Sequence, residues 1–149
     1  MKHADGSVET VKKAFVLRAG DELKTGKNGT LTLDLLGGSI FRMGENSTFE
    51  LTREPQSYRQ RFGSIVYQLL CLRKTGRACV KVSTTNACAC VRGTKFLLET
   101  RTGWTRLRVY EHTVDFYNLK GKQKHVLVGA GFESVIVGSK PPSAPKRFG

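Results

Sequence analysis

Apolar residues recur at every second position along most of this chain, and that period restricts the backbone to strands. Leu31, Leu33 and Leu35 alternate with Thr30, Thr32 and Asp34, and Phe49 and Leu51 with Thr48 and Glu50. Val80 and Val82 alternate with Lys81 and Ser83, Leu107 and Val109 with Arg106 and Arg108, while Val114 and Phe116 bracket Asp115. Successive side chains of a strand point to opposite faces, so this pattern sets one face on a core and leaves the other wet. Gly-rich turn signals divide the runs: Lys27-Asn28-Gly29, Leu36-Gly37-Gly38, Lys74-Thr75-Gly76, Lys120-Gly121-Lys122 and Gly129-Ala130-Gly131. The expectation is an all-β domain, an antiparallel sandwich or roll of short strands with Gly-rich turns and at most one short helix. That helix would be a turn or two around Glu54 to Phe62, with Pro55 at its first position.

A length of 149 residues suits one domain, and 39% hydrophobic residues with eight Phe argue for a packed core over disorder. We expect the β domain to run over residues 1–138. The stretch 139–149 holds three of the four prolines and few apolar residues, and reads as an extended Pro/Lys-rich tail or linker. No apolar run is long enough to span a bilayer as a helix. Met1-Lys2-His3-Ala4-Asp5-Gly6 lacks the apolar core of a secretory signal.

Enzyme signatures fail one by one. His3, His112 and His125 are scattered, with neither a His-Glu-x-x-His pair nor clustered carboxylates. Gly20 to Lys27 has the wrong spacing for a phosphate loop, and Gly129-x-Gly131 opens onto the strand-like Ser134-Val135-Ile136-Val137. No serine elbow is present. The reading is a non-enzymatic chain without catalytic residues or cofactor.

Cys71, Cys79, Cys88 and Cys90 are separated by seven, eight and one residues, which forms no Cys-x2-Cys knuckle and predicts no metal site. Cys71 and Cys79 flank a hairpin signal. A three-residue loop would set them face to face at about 5.5 Å, within disulfide reach, whereas a two-residue loop would put them on opposite faces. Cys88 and Cys90 share a face about 6.7 Å apart along one strand, poor geometry for bridging, and read as small packed thiols.

With 25 Lys and Arg against 12 Asp and Glu, the net charge is +13. Such a chain attracts acidic surfaces and polyanions. Arg73, Lys74 and Arg77 in one turn and Lys120, Lys122 and Lys124 in another are the candidate partner-binding residues, since turn side chains reach solvent. The alternative role for these charges is solubility and protection of strand edges.

One stretch is more specific than the period. Thr84-Thr85-Asn86-Ala87 leads into Val91-Arg92-Gly93-Thr94-Lys95-Phe96, where a Gly between two strand-like runs marks a bend. This Thr-x-x-Ala lead followed by Val-Arg-Gly-Thr-x-Phe resembles the signature of FecR-like domains. Gly20-Asp21-Glu22-Leu23-Lys24-Thr25-Gly26 is similar to that family's Gly-Asp-x-Leu-x-Thr-Gly turn, and Gly38-Ser39-Ile40 to its strand entrance. Val109-Tyr110-Glu111-His112-Thr113-Val114 stands where the family has Val-x-Glu-Gly-x-Val, and Gly129-Ala130-Gly131-Phe132-Glu133 matches a late turn. The departures are His112 for a usual Gly, Gly37 for a usual Asp and Cys90 where Gly is common. The resemblance covers roughly Gly6 to Gly138. It makes Gly20, Asp21, Gly26, Val91, Arg92, Gly93, Thr94 and Phe96 structural signature residues.

What the resemblance implies is an extracytoplasmic protein-interaction module, in a signalling or an envelope or scaffold assembly. In the best-known relatives such a domain is the exported part of an inner-membrane regulator that receives a signal from an outer-membrane receptor and controls a sigma factor. The expected partner is another protein, with an acidic face. The alternative is a polyanion-binding domain for acidic glycan, an anionic lipid surface or nucleic acid. If the chain is exported, it is expected to be a mature fragment or a domain of a longer product.

Overall fold

The computed structural model describes residues 1, 2, 5, 17–34, 39–53, 57–69, 80–91, 93–121 and 124–148. Among them there is no helix, and the fold is all-β. The strands are β1 (Glu22–Lys24), β2 (Leu31–Asp34), β3 (Ile40–Met43), β4 (Thr48–Leu51), β5 (Ser57–Leu69), β6 (Val80–Ser83) and β7 (Ala87–Val91). They continue as β8 (Thr94–Arg101), β9 (Trp104–Glu111), β10 (Thr113–Asn118), β11 (His125–Gly129), β12 (Phe132–Val137) and β13 (Lys146–Arg147). They join in one curled sheet in the order β11-β10-β7-β6-β5-β8-β9-β12-β13, with β4 and β3 also paired to β5 and carrying β1 and β2. The sheet is mixed, because β5 and β6 run parallel, Tyr58 opposite Val82, while the other pairings are antiparallel.

The hinge of this sheet is β5. Its first half pairs with β4 and β6, and its second half with β3 and β8. A register shift leaves Arg61 unmatched against β4, since Thr48 faces Phe62 and Phe49 faces Gln60. The inward series therefore jumps from Tyr58 and Gln60 to Gly63, Ile65, Tyr67 and Leu69. Gly63 follows with φ 99°, and a Cβ there would lie 2.1 Å from the Ser47 hydroxyl. Buried Gln60 holds the bend: its amide donates to the carbonyls of Gly63 (2.9 Å) and Leu98 (2.8 Å), and it accepts from the Tyr67 hydroxyl at 2.8 Å. The helical turn expected around Glu54 to Phe62 is thus corrected from Ser57 onward, while Glu54, Pro55 and Gln56 lie outside the described residues. Ser57 to Phe62 are strand, and the bulge breaks the period of two in a way that imitates helical spacing.

The inner face is aromatic. Phe41 meets Phe49, Tyr58 and Tyr67 edge-on, with ring centroids 5.3, 4.9 and 4.9 Å apart, and Tyr67 stacks on Phe96 at 5.1 Å. Leu107, Val109, Val114 and Phe116 are fully buried, as the alternation predicts, and so are Phe96 and Leu98. The Thr84 hydroxyl accepts from the Ala87 N–H at 3.1 Å, so the Thr-x-x-Ala lead is a turn closed by its own side chain. Thr84, Asn86, Thr100 and Thr105 form a buried polar network, from which Asn86 reaches the carbonyl of Gly138 at 3.1 Å. The stretch 139–148 runs beside β12. The Ser134 hydroxyl donates to the Ser143 carbonyl at 2.7 Å, and Lys146–Arg147 pairs with Phe132 and Glu133.

Candidate functional site

The signature residues described serve the scaffold. Gly93 (φ 140°) turns the chain between β7 and β8, Val91 and Phe96 are buried, and the Thr94 hydroxyl donates to the Glu111 carbonyl. Gly20 (φ 91°) donates its N–H to Leu51 O at 2.6 Å, and the buried Asp21 carboxylate accepts from the Arg18 N–H at 2.8 Å. The Gly26 carbonyl accepts from the N–H of Gly29 at 3.0 Å and of Asn46 at 3.2 Å. His112, standing where the resemblance expects Gly, keeps the left-handed turn with φ 62°.

The partner-binding candidates divide. Lys120 and Lys124 are exposed at either end of the β10–β11 connection. Arg73, Lys74, Arg77 and Lys122 lie outside the described residues, as do Arg92, Gly37 and the Cys71–Cys79 pair.

The sheet builds a different basic site, which the sequence reading did not single out. Across β5, β6, β7, β10 and β11, Arg59 sets one outward row by pairing register with Ser83, Cys88, Tyr117 and His125; Ser57 sets the next with Lys81, Cys90, Asp115 and Leu127. Above these rows opens a cleft of about 590 Å³, bordered by Gly20, Glu50, Thr52, Arg53, Ser57, Arg59, Lys81, Ser83, Cys88, Tyr117 and Leu119. A second cleft of about 390 Å³ continues past Arg59, Ser83 and Leu119 to Arg61, Thr84 and Thr85.

The electrostatics of the cleft are one-sided. Among the described residues its one acid, Glu50, is held by the Arg61 guanidinium at 2.9 Å, and Arg61 also reaches Glu22 at 3.5 Å. Arg53, Arg59 and Lys81 are exposed and make no ion pair among the described residues. Lys81 stands directly across the ladder from Cys90. The Cys88 and Cys90 sulfurs are 3.8 Å apart, and Cys90 Sγ lies 3.6 Å from the Tyr117 hydroxyl. The hydrogen bond from Cys88, helped by Tyr117 and Lys81, lowers the Cys90 thiol below its ordinary range, against its partial burial. Cys88 moves up because it gives that bond and is itself buried. The signal in the sequence was Arg53, Arg59, Lys81 and the Cys-x-Cys, but only the pairing of β5 with β6 and of β6 with β7 sets Arg59, Lys81 and the cysteines side by side.

The family described as FecR protein matches residues 21–115, more than half of the chain. Two crystal structures, each described as that of "a putative anti-sigma factor from Parabacteroides distasonis", at 2.50 and 1.65 Å resolution, share the fold with TM-score 0.69. Each is 12% identical over 85% of this chain, an identity that speaks for the fold alone. The match covers 59% of the solved chains, so this chain spans about three fifths of their length. No curated protein matches by sequence.

Proposed function

We propose, from the premise that this chain belongs to the FecR family, that it is a non-enzymatic protein-interaction module of extracytoplasmic signalling, and that its cleft receives an acidic segment of a partner protein. The observation that carries this reading is the group Arg53, Arg59 and Lys81, three cations around one concavity with no anion of the described chain to answer them. A folded domain gains nothing from leaving cations together, since like charges repel; an anionic partner removes that cost. Lys120 follows Leu119, which borders both clefts, and is exposed, so it extends the basic rim; Lys122 and Lys124 of the same connection are proposed as further contacts. The turn of Arg73, Lys74 and Arg77 is proposed as a further contact. The fold shared with a described anti-sigma factor supports a regulatory role, and no helix of the described residues is long and apolar enough to cross a membrane.

The test is photo-crosslinking in a cell-envelope fraction, with the reactive side chain at Ser83 on the cleft wall. The expected result is one dominant protein, retained at moderate salt and lost when Arg59 and Lys81 are both changed to Glu. Capture that vanishes at moderate salt, with equal retention on polyglutamate and polyphosphate, would replace this reading by general polyanion binding.

A further inference from the structure

We propose that Cys88 and Cys90 form an open two-thiolate seat for a soft d10 divalent cation of the zinc–cadmium type. Seven, eight and one intervening residues offer no knuckle, and the sequence therefore predicts no metal site. The strand makes what the spacing does not. Two residues apart on β7, both cysteines lie on the cleft side of the sheet, Cys88 buried and Cys90 half-buried, and their sulfurs stand 3.8 Å from each other. Metal–thiolate bonds of about 2.3 Å to both sulfurs would then enclose an angle of about 111°, near the tetrahedral value. A disulfide fits less well, because its sulfurs must close to about 2.05 Å while the Cβ bonds of residues i and i+2 of an extended strand run parallel, with Cα atoms about 6.7 Å apart at the far end of the bridging range.

The surroundings meet the other requirements of such a site. The Tyr117 hydroxyl, 3.6 Å from Cys90 Sγ, can donate to a ligating thiolate. Its ring is fixed by stacking on His125 at 4.2 Å, and the His125 ring is held in turn by Asp115 at 2.9 Å. Access comes from the cleft, whose wall includes Cys88, so two coordination positions remain for water or a partner's side chain. Charge is accounted for as well. Asp115 flanks Cys90 on one side and Lys81 on the other, so their charges offset, and the ion displaces the thiol protons it needs removed.

Cadmium is the probe, because its thiolate complexes show a ligand-to-metal charge-transfer absorption that carboxylates and hydroxyls do not. Fully reduced protein is titrated with Cd(II) against a competing chelator. One equivalent should bind with that absorption, and Cys88→Ser or Cys90→Ser should weaken binding at least tenfold. Tyr117→Phe should weaken it by about tenfold while leaving the absorption in place. The Cys71→Ser/Cys79→Ser protein should still show the band. If that protein is folded by circular dichroism and shows none, the proposal fails. It fails equally if Cys88→Ser/Cys90→Ser in the otherwise unchanged chain binds cadmium with full affinity and absorption, a measurement that decides even where the other variant does not fold.

Discussion

The two outward faces of the curled sheet are both rich in arginine and use it in opposite ways. On β8, β9 and β12 the guanidinium groups are answered from within: Arg106 and Arg101 engage Glu99, and Arg108 reaches Glu133 at 3.8 Å. Each also lies over a ring, Arg101 over Phe62, Arg106 over Trp104 and Arg108 over Phe148, at 5.1, 6.0 and 5.4 Å. On β5 and β6 the cations Arg59 and Lys81, with Arg53 beside them on the cleft wall, have no such answer among the described residues. A net charge of +13 conceals this difference. The lesson is that a basic side chain is a binding candidate only where the fold has not already spent its charge on a neighbour.

The comparison can be broken first at the scaffold beneath the paired face. Phe96→Ala should lower stability by about 3–5 kcal/mol in urea denaturation, because the ring is fully buried against Tyr67. Partner association of the protein that remains folded should not change. A loss under about 1 kcal/mol would show that the paired face is not seated on the core as described. Next in size is the bend that separates the two faces. Gly63→Ala adds a Cβ into Ser47 at φ 99°, and should cost more than about 2 kcal/mol by the same measurement. A neutral result would mean that β5 need not bend there.

The central contrast is tested by charge. Arg59→Glu with Lys81→Glu should slow partner association about tenfold at low salt and leave stability within about 0.5 kcal/mol. Glu99→Gln on the other face should do the reverse, costing about 1 kcal/mol with association unchanged, since its ion pairs are only partly buried and solvent still screens them. Equal effects of both changes on association would erase the distinction between the faces. The smallest effect is expected at His112. His112→Gly should stabilise the domain by about 0.5–1 kcal/mol in thermal unfolding, because Gly takes φ 62° without the Cβ penalty. Destabilisation would mean that the imidazole makes a contact worth more than the strain.

Most strands were legible because one buried face imposes a period of two, as at Leu107, Val109, Val114 and Phe116. The segment from Ser57 to Phe62 was not, because its bulge sets Arg61 and Phe62 outward in succession and leaves a gap of three between Gln60 and Gly63. The basic cleft was half legible. Its cations are basic by residue type, but solvent exposure is legible in sequence only for turn residues such as Lys120 and Lys124, while Arg59 and Lys81 are far apart in sequence and meet only by pairing of β5 with β6.

By itself, then, the sequence determined an all-β domain of the FecR kind, the bend at Gly93, the burial of Leu107, Val109, Val114 and Phe116, and the absence of any motif with an enzymatic mechanism. These are local matters, set by alternation, by the dihedral freedom of Gly and by residue type. The tertiary structure alone decided that β5 and β6 run parallel, that Arg59 and Lys81 border one cleft with Cys88, that the Cys88 and Cys90 sulfurs approach to 3.8 Å, and which cations are already paired. Such relations depend on which strands become neighbours and in what register. That choice is made by closing long loops around a common core, and no local pattern along the chain encodes it.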